Sequence, residues 1–127
     1  MIERKEITID CLRDEKRYLT VYVPDKDGTF PVLYMMDGQN VFFDEDATYG
    51  KSWGMYDYLV KNDVDLIVVA IDSSRGKNNE RLFEYAPYDF VDYQYGLIKA
   101  EAKKFIKWLV SDLKSYVDGK YPVKSDR

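Results

Sequence analysis

Residues 30–40 read Phe-Pro-Val-Leu-Tyr-Met-Met-Asp-Gly-Gln-Asn, an apolar run that leads directly into the pair Asp37-Gly38. Apolar residues without alternation are typical of a strand that is covered on both faces of a sheet. Glycine after aspartate indicates a tight turn, and such turns expose backbone amides. Open α/β sheets bind ligands at the carboxyl ends of their strands, and exposed N–H groups can stabilise a developing oxyanion. The stretch therefore predicts a strand followed by half of a binding or catalytic site.

Segments on either side of this strand predict further strands. Residues 2–11 and 18–23 alternate apolar with polar side chains, as half-buried strands do, and Pro24 ends the second segment. The polar residues between them predict a turn, so the two segments should form an antiparallel hairpin. Residues 66–71 are continuously apolar and predict another strand that is covered on both faces.

Two segments show the three- and four-residue spacing of apolar side chains that is typical of helices. The first covers residues 53–60 and lies between the two buried strands, which gives a βαβ unit with a right-handed crossover. The second covers residues 98–117 and is stopped by Gly119 and Pro122. Residues 73–93 are polar and aromatic, and they predict a long loop.

Composition indicates one soluble domain. A chain of 127 residues with 46% hydrophobic content can bury a single core. Its 19 basic and 23 acidic residues give a net charge of −4 without a basic stripe, which argues against a nucleic-acid partner. No apolar window reaches membrane-spanning length, residues 1–6 lack the apolar centre of a signal peptide, and the single Cys11 cannot form an internal disulfide. We therefore expect a cytoplasmic protein with no membrane partner.

The sequence lacks two groups that serine hydrolases use. It contains no histidine and no Gly-x-Ser-x-Gly motif, so a serine nucleophile has neither its usual base nor its usual elbow. Ser73 and Ser74 follow the second buried strand and are candidate nucleophiles by residue type alone. Without a base to activate them, we expect both to be turn residues.

Two further features suggest other ligands. Residues 44–46 are all acidic and suggest calcium, but they lack the spacing and the closing glutamate of an EF-hand, so a solvated loop is expected and no metal site is predicted. Twelve tyrosines and two tryptophans would suit a sugar- or peptide-binding face. Periodicity assigns many of them to the core or its margin, including Tyr34, Tyr56 and Tyr116.

Several motifs taken together resemble one family. They are Asp37-Gly-Gln-Asn40, Val41-Phe-Phe43, Ser52-Trp53-Gly54, Glu80-Arg-Leu-Phe-Glu-Tyr-Ala-Pro87 and the long helix up to Lys124-Ser-Asp-Arg127. Their order and spacing are similar to those of esterases with the α/β-hydrolase fold, namely the feruloyl, enterochelin and esterase D-like enzymes. The resemblance implies the amino-terminal half of a three-layer αβα sandwich. Residues 1–127 would then form a single incomplete domain that ends before the fifth strand and the serine elbow.

The resemblance also implies residues of the site. The backbone amide of Gln39, presented by the turn at Gly38, would be one of two oxyanion-hole donors. Without the resemblance, an ordinary tight turn is an equally good interpretation of these residues. The rim of the substrate cleft would be formed by Asn40, Ser73, Arg81, Glu84 and Tyr85. In that loop Arg81 is expected to pair with Glu84 or Asp72, and the alternative to substrate contact is a structural ion pair.

The function implied is hydrolysis of a small-molecule carboxylic ester through an acyl-enzyme, without a cofactor. The nucleophilic serine, the histidine and the acid would lie beyond residue 127. We therefore expect the 127-residue chain to be inactive by itself.

A second hypothesis comes from another class of protein, a non-catalytic binding or assembly module. In the hydrolase sheet the strand at residues 32–36 would lie between the strand at 66–71 and the absent fifth strand. Its bare edge would then pair with a second copy or another partner. A flavodoxin-like fold, in which the turn at Gly38 would hold phosphate, is disfavoured by the leading hairpin and by the absence of clustered glycines.

Overall fold

Four strands form the main sheet, and they coincide with the apolar patterns of the sequence. The structure, a computed structural model, describes residues 1–75 and 79–124. The strands are β1 (Ile2–Thr8), β2 (Lys16–Tyr22), β3 (Val32–Met35) and β4 (Ile67–Ile71). They lie in the order β1-β2-β4-β3, in which β1, β2 and β4 are antiparallel neighbours and β3 runs parallel to β4. The predicted hairpin followed by parallel strands is confirmed.

Strand β4 lies between two hydrophobic cores. All five of its residues are fully buried. Successive side chains of a strand point to opposite faces of the sheet. Ile67, Val69 and Ile71 accordingly pack in one core, and Val68 and Ala70 pack in the other. The continuous apolar run in the sequence is thus explained by burial on both faces.

Helices cover both faces of the sheet. They are α1 (Met55–Lys61), α2 (Arg81–Tyr85), α3 (Ala102–Trp108) and α4 (Lys114–Lys120), with a π-helical segment at Leu109–Leu113 that joins α3 to α4. Leu59 of α1 packs in the core that contains Val68, whereas Phe105 and Val117 pack in the core that contains Val69. Three layers result. Within the described ranges, no helix has the length and apolar character needed to cross a bilayer.

The segment between β4 and α3 is more ordered than the sequence predicts. The expected loop over residues 73–93 contains helix α2 and strand β5 (Phe90–Asp92), and β5 pairs with β6 (Gly96–Ile98). The helix expected from residue 98 therefore begins only at residue 102. Local turn chemistry explains the difference, because the Asp92 carboxylate accepts the main-chain N–H groups of Gln94 and Tyr95, each at 2.9 Å.

The turn after β3 depends on glycine for a reason other than backbone flexibility. Asp37 is the residue with a left-handed backbone, at φ 53° and ψ 48°, and residues Gly38–Asn40 form a 3-10 turn. A Cβ atom at Gly38 would lie 2.7 Å from the carbonyl carbon of Ile71 and 2.8 Å from that of Ala70. Glycine is required here because the turn packs directly on the backbone of β4.

Strand β3 forms one edge of the main sheet. Its predicted position beside β4 is confirmed. On its other side, Phe30 donates its N–H to the Pro122 carbonyl at 2.9 Å and accepts the N–H of Lys124 at 2.8 Å, which forms a parallel bridge to Val123. The chain that leaves α4 therefore returns to the outer edge of the sheet, just before β3.

Replacing Gly38 by alanine is expected to lower the free energy of unfolding by about 1–3 kcal/mol, because the added methyl group must displace the backbone of β4. Gly119→Ala is the matched control. Gly119 lies in α4, and an added Cβ there meets no other described atom within 4 Å, so a gain of up to about 1 kcal/mol is expected. Urea denaturation measures both changes. A Gly38→Ala variant as stable as the parent would contradict the close contact.

Candidate active site

The candidate oxyanion donor lies in the 3-10 turn that follows β3. The N–H of Asn40 donates to the Asp37 carbonyl at 2.9 Å, and the N–H of Val41 donates to the Gly38 carbonyl at 3.2 Å. The main-chain N–H of Gln39 donates to no acceptor in residues 1–75 or 79–124. A backbone donor that the fold leaves unused at the carboxyl end of a parallel strand is available to a ligand.

An open cleft of about 730 Å³ lies beside this turn, within the size range of small-molecule sites. Four of the predicted site residues line it: Gln39, Asn40, Ser73 and Arg81. A smaller pocket of about 60 Å³ is lined by Gly38 and Gln39. The structure thus brings together residues from the turn after β3 and from the segment that follows β4. Glu84 and Tyr85 line neither cavity.

Asp37 is held by a bidentate ion pair with Arg81. The Nε and Nη2 atoms of Arg81 donate to the two carboxylate oxygens at 2.7 and 2.6 Å. These bonds hold the pKa of Asp37 below its usual value, against the opposing effect of burial. Arg81 therefore pairs with Asp37, and the expected pairing with Glu84 or Asp72 is wrong. The pair restrains a residue whose left-handed backbone is unfavourable for a side chain with a Cβ atom.

Tyr85 contacts both members of this ion pair. Its hydroxyl accepts the main-chain N–H of Asp37 at 3.3 Å and donates to Asp37 Oδ1 at 3.4 Å. The Arg81 guanidinium carbon lies 5.0 Å from the centre of the Tyr85 ring, a cation–π arrangement. Burial raises the pKa of Tyr85, so its phenol stays protonated and keeps its donor. Substrate contact by Tyr85 stays a prediction.

Both polar atoms of the Gln39 side-chain amide form hydrogen bonds with Ser73. Gln39 Nε2 donates to Ser73 Oγ at 2.8 Å, and the Ser73 main-chain N–H donates to Gln39 Oε1 at 3.1 Å. Gln39 is 6% exposed and Ser73 is 2% exposed. The turn after β3 and the end of β4 are therefore joined by a buried amide–hydroxyl contact, next to the unused N–H of Gln39.

Asn40 also lines the cleft, and it holds the chain that follows the turn. Its Oδ1 atom accepts the N–H of Thr48 at 2.9 Å, and its carbonyl accepts the N–H of Trp53 at 2.8 Å. Thr48 and Tyr49 line the cleft with it. Asn40 thus lies at the predicted place, and its amide anchors the loop that leads from the turn to α1.

Glu84 is not at the rim of the cleft, where it was expected. It is 0% exposed, and its carboxylate accepts the Nη1 and Nη2 atoms of Arg17 at 3.0 and 2.8 Å. A second guanidinium, that of Arg13, and the main-chain N–H of Ser74 also donate to it. A buried carboxylate needs such partners. We therefore assign Glu84 a structural role in place of the expected substrate contact.

Arg17 is the functional-site neighbour that sequence reasoning missed. Burial opposes its charge, but the hydrogen bonds and attraction of Glu84 raise its pKa. The signal was present in the pattern of β2, because Arg17 shares a face with the buried Leu19 and Val21 at a spacing of two residues. A charge on an apolar face requires a buried partner, although the sequence does not say which residue supplies it.

Two of the three acidic residues at 44–46 form hydrogen bonds or ion pairs with other residues. The main-chain N–H of Ser52 donates to Asp44 Oδ1 at 2.8 Å, and Arg4 forms an ion pair with Asp46. In the described parts of the chain, no group of three or more His, Cys, Asp or Glu side chains is arranged to hold a metal ion.

The sheet order, the glycine turn on β4 and the cleft at the end of the parallel strands place the chain in the α/β-hydrolase class of folds. A family model described as "Putative esterase" matches residues 13–127. The chain therefore belongs to this esterase family, a lineage of ester hydrolases.

Solved structures agree on the fold. An IroE-like serine hydrolase from Shewanella oneidensis superposes with a TM-score of 0.71 at 18% identity, over 97% of this chain and 40% of that one. An S-formylglutathione hydrolase from Agrobacterium tumefaciens gives 0.51 at 16% identity, over 100% and 46%. A CE1 ferulic acid esterase from Anaeromyces mucronatus gives 0.53 at 15% identity, over 98% and 45%.

The chain spans less than half the length of each of these three structures. No curated protein matches it in sequence. At these identities the likeness concerns the fold, and activity and substrate are inferred separately below.

Replacing Arg81 by glutamine is expected to destabilise the protein in a pH-dependent way. The folded pKa of Asp37 is depressed, so the ion pair contributes stability above the unfolded value of about 4 that is lost as the pH falls through the folded pKa. The difference in unfolding free energy between the parent and Arg81→Gln should be largest near neutral pH and shrink in acid. Urea titrations across this range measure it.

Lys114→Gln is the control for this measurement, because Lys114 pairs with Asp118 on an exposed helix face and should contribute little at any pH. A loss in Arg81→Gln that stays constant from neutral to acidic pH would show that Asp37 is not the partner responsible.

Replacing Glu84 by glutamine is expected to lower the free energy of unfolding by about 3–5 kcal/mol, because Arg17 would be left buried without its counter-charge. Asp118→Asn makes the same chemical change at an exposed pair and should cost less than about 0.5 kcal/mol. Thermal and urea unfolding of the two variants give the comparison. Equal effects would argue against a buried ionic cluster.

Proposed function

We propose that the chain forms the oxyanion-donor part of a serine carboxylesterase that hydrolyses small-molecule esters through an acyl-enzyme. The observation that carries the proposal is the main-chain N–H of Gln39, which donates to no acceptor in the described part of the chain and lies in a turn that lines a cleft of about 730 Å³. Membership of the esterase family supports the same chemistry.

In this proposal Gln39 supplies one of the two N–H groups that bind the negative oxygen of the tetrahedral intermediate. A donor fixed before the reaction stabilises charge without reorganisation, and losing one typically lowers the rate by about 10²–10³. The turn at Gly38 holds the donor against β4, and the Asp37–Arg81 pair fixes the residue before it.

The rest of the machinery is proposed to come from polypeptide outside these 127 residues. The sequence contains no histidine, so its own serines have no imidazole to accept their protons. We therefore propose that residues 1–127 correspond to an incomplete hydrolase domain, and that by themselves they are inactive. The parallel bridge between Phe30 and Val123 supports this, because it lies next to the outer edge of β3, where the family resemblance expects the strand that leads to the serine.

The cleft suggests how an ester would be held. Asn40 and Arg81 both line it, and Ser73 lines the part next to Gln39. The solved relatives named a ferulic acid esterase and an S-formylglutathione hydrolase suggest a small ester or thioester as the substrate class. We propose a cytoplasmic setting, in keeping with a single cysteine in the sequence.

The outer edge of β3 supports a second candidate, a binding or assembly module. Among the strands of residues 1–75 and 79–124, β3 pairs with β4 alone, and Leu33 on β3 is 41% exposed. Exposed strand edges pair readily with other strands, so a second copy of the chain would fit there. The family match favours the esterase over this candidate.

Hydrolysis of short-chain p-nitrophenyl esters tests the proposal. The assay compares the 127-residue chain with the same chain extended by its downstream coding sequence, and we expect turnover only in the extended protein. Turnover by the 127-residue chain would contradict the proposal that the rest of the catalytic machinery lies outside these residues. If neither protein is active, the assembly module is favoured, and light scattering should then show a dimer that dissociates on dilution.

A further inference from the structure

Ser73 contacts the candidate oxyanion turn at Gln39, the residue after Gly38. Its hydroxyl accepts Gln39 Nε2 and its main-chain N–H donates to Gln39 Oε1, at 2.8 and 3.1 Å. One residue at the end of β4 therefore restrains the side chain that follows the glycine packed on β4.

The segment that carries Ser73 is itself fixed by side chains. Three consecutive main-chain N–H groups donate to side-chain oxygens: Ser73 to Gln39 Oε1 at 3.1 Å, Ser74 to Glu84 Oε1 at 3.2 Å, and Arg75 to Glu15 Oε2 at 2.8 Å. Hydrogen bonds from successive amides to side-chain oxygens hold an irregular segment in one conformation. Ser73 thus lies in a segment with one fixed conformation.

The hydrogen bonds that hold this segment lead to buried residues of the fold. Glu84 is bound by both terminal nitrogens of Arg17, and Arg17 also donates to the carbonyl of Asp72 at 3.2 Å. Arg17 belongs to β2, the central neighbour of β4. A continuous set of hydrogen bonds therefore connects the middle of the sheet to the side chain of Gln39.

Apart from the contact of Gly38 with β4, the backbone of Gln39 is held by the hydrogen bonds of the turn. The 3-10 turn contributes two hydrogen bonds that span Gln39, and neither uses its own N–H. A residue whose side-chain amide is fixed at both ends has few remaining freedoms at χ1 to χ3, so its Cα and main-chain nitrogen are fixed as well. Oxyanion donors must keep their geometry to within a fraction of an ångström to be effective.

We propose that Ser73 is a positioning residue for the oxyanion site, whose hydroxyl and N–H hold the side chain of Gln39 so that the Gln39 main-chain N–H keeps its direction into the cleft. The inference rests on the proposed function for its catalytic consequence. Ser73 acts through Gln39 and transfers no proton or acyl group.

The kinetic test uses the extended protein and the variants Ser73→Ala and Gln39→Ala, both of which keep the main-chain N–H of Gln39. Each should lower kcat at least about tenfold and leave KM within about threefold, because the donor acts mainly on the transition state. Since the two side chains act through each other, the double variant should be no slower than the worse single variant. Ser111→Ala is the matched control, because this exposed hydroxyl donates to the carbonyl of Lys107 on a helix remote from the cleft.

A second readout uses the 127-residue chain and needs no activity. Nuclear magnetic resonance relaxation follows the motion of the main-chain N–H of Gln39. In Ser73→Ala its order parameter should fall from about 0.85, typical of rigid backbone, to below about 0.6, whereas Ser111→Ala should leave it unchanged. If Ser73→Ala unfolds, Gln39→Ala replaces it in the test, because it removes the same hydrogen bonds by truncating the other partner.

The outcomes separate the two proposals. Absence of ester hydrolysis in the extended protein would refute the proposed function, while the order parameter of the residue 39 N–H would still decide whether Ser73 positions it. Normal kcat in Ser73→Ala, or additive losses in the double variant, would overturn the positioning role and leave the esterase proposal intact. An unchanged order parameter of residue 39 in both variants would overturn the positioning role as well.

Discussion

The contact between Gly38 and the backbone of β4 is the constraint on which the candidate site depends. A side chain at this position would come within 2.8 Å of the β4 main chain, so only glycine allows the turn to lie directly on the strand. This close approach brings the end of β3 beside the end of β4 and places Gln39 next to Ser73. Strand β4, fully buried on both faces, supplies the rigid surface that makes the contact possible.

Electrostatic interactions stabilise the irregular segments around this contact. Asp37 adopts a left-handed backbone and is restrained by Arg81, while the residues after β4 are held by carboxylates and an amide. Loops that carry functional groups cannot rely on a regular ladder of backbone bonds, so side chains satisfy their polar groups instead. The buried pair of Arg17 and Glu84 is best understood as part of this support, because buried ion pairs add little net stability but strongly favour one arrangement.

The family relationship and the geometry describe the same half of a site. The esterase family model covers residues 13–127, and the solved relatives are matched over less than half of their length. Within that half, the structure offers a backbone donor, a cleft and a supporting network of hydrogen bonds. The outer side of β3, which pairs with no further strand of the described residues, and the bridge at Val123 lie at the edge where the proposed remainder of the sheet would be added.

The sequence by itself determined the strands, the helical faces, the glycine turn and the family, because each leaves a periodic or local pattern in neighbouring residues. The alternation of side chains along β2 also places Arg17 on the same face as apolar residues, which implies a buried partner for its charge. Only the tertiary structure decided the pairings, since Asp37 and Arg81 are 44 residues apart and Arg17 and Glu84 are 67 apart. The burial of Glu84 was missed for the same reason. The order of the segment between β4 and α3 depends instead on local turn chemistry at Asp92. Which charges meet depends on how distant segments pack, and packing is a property of the whole fold that no local spacing records.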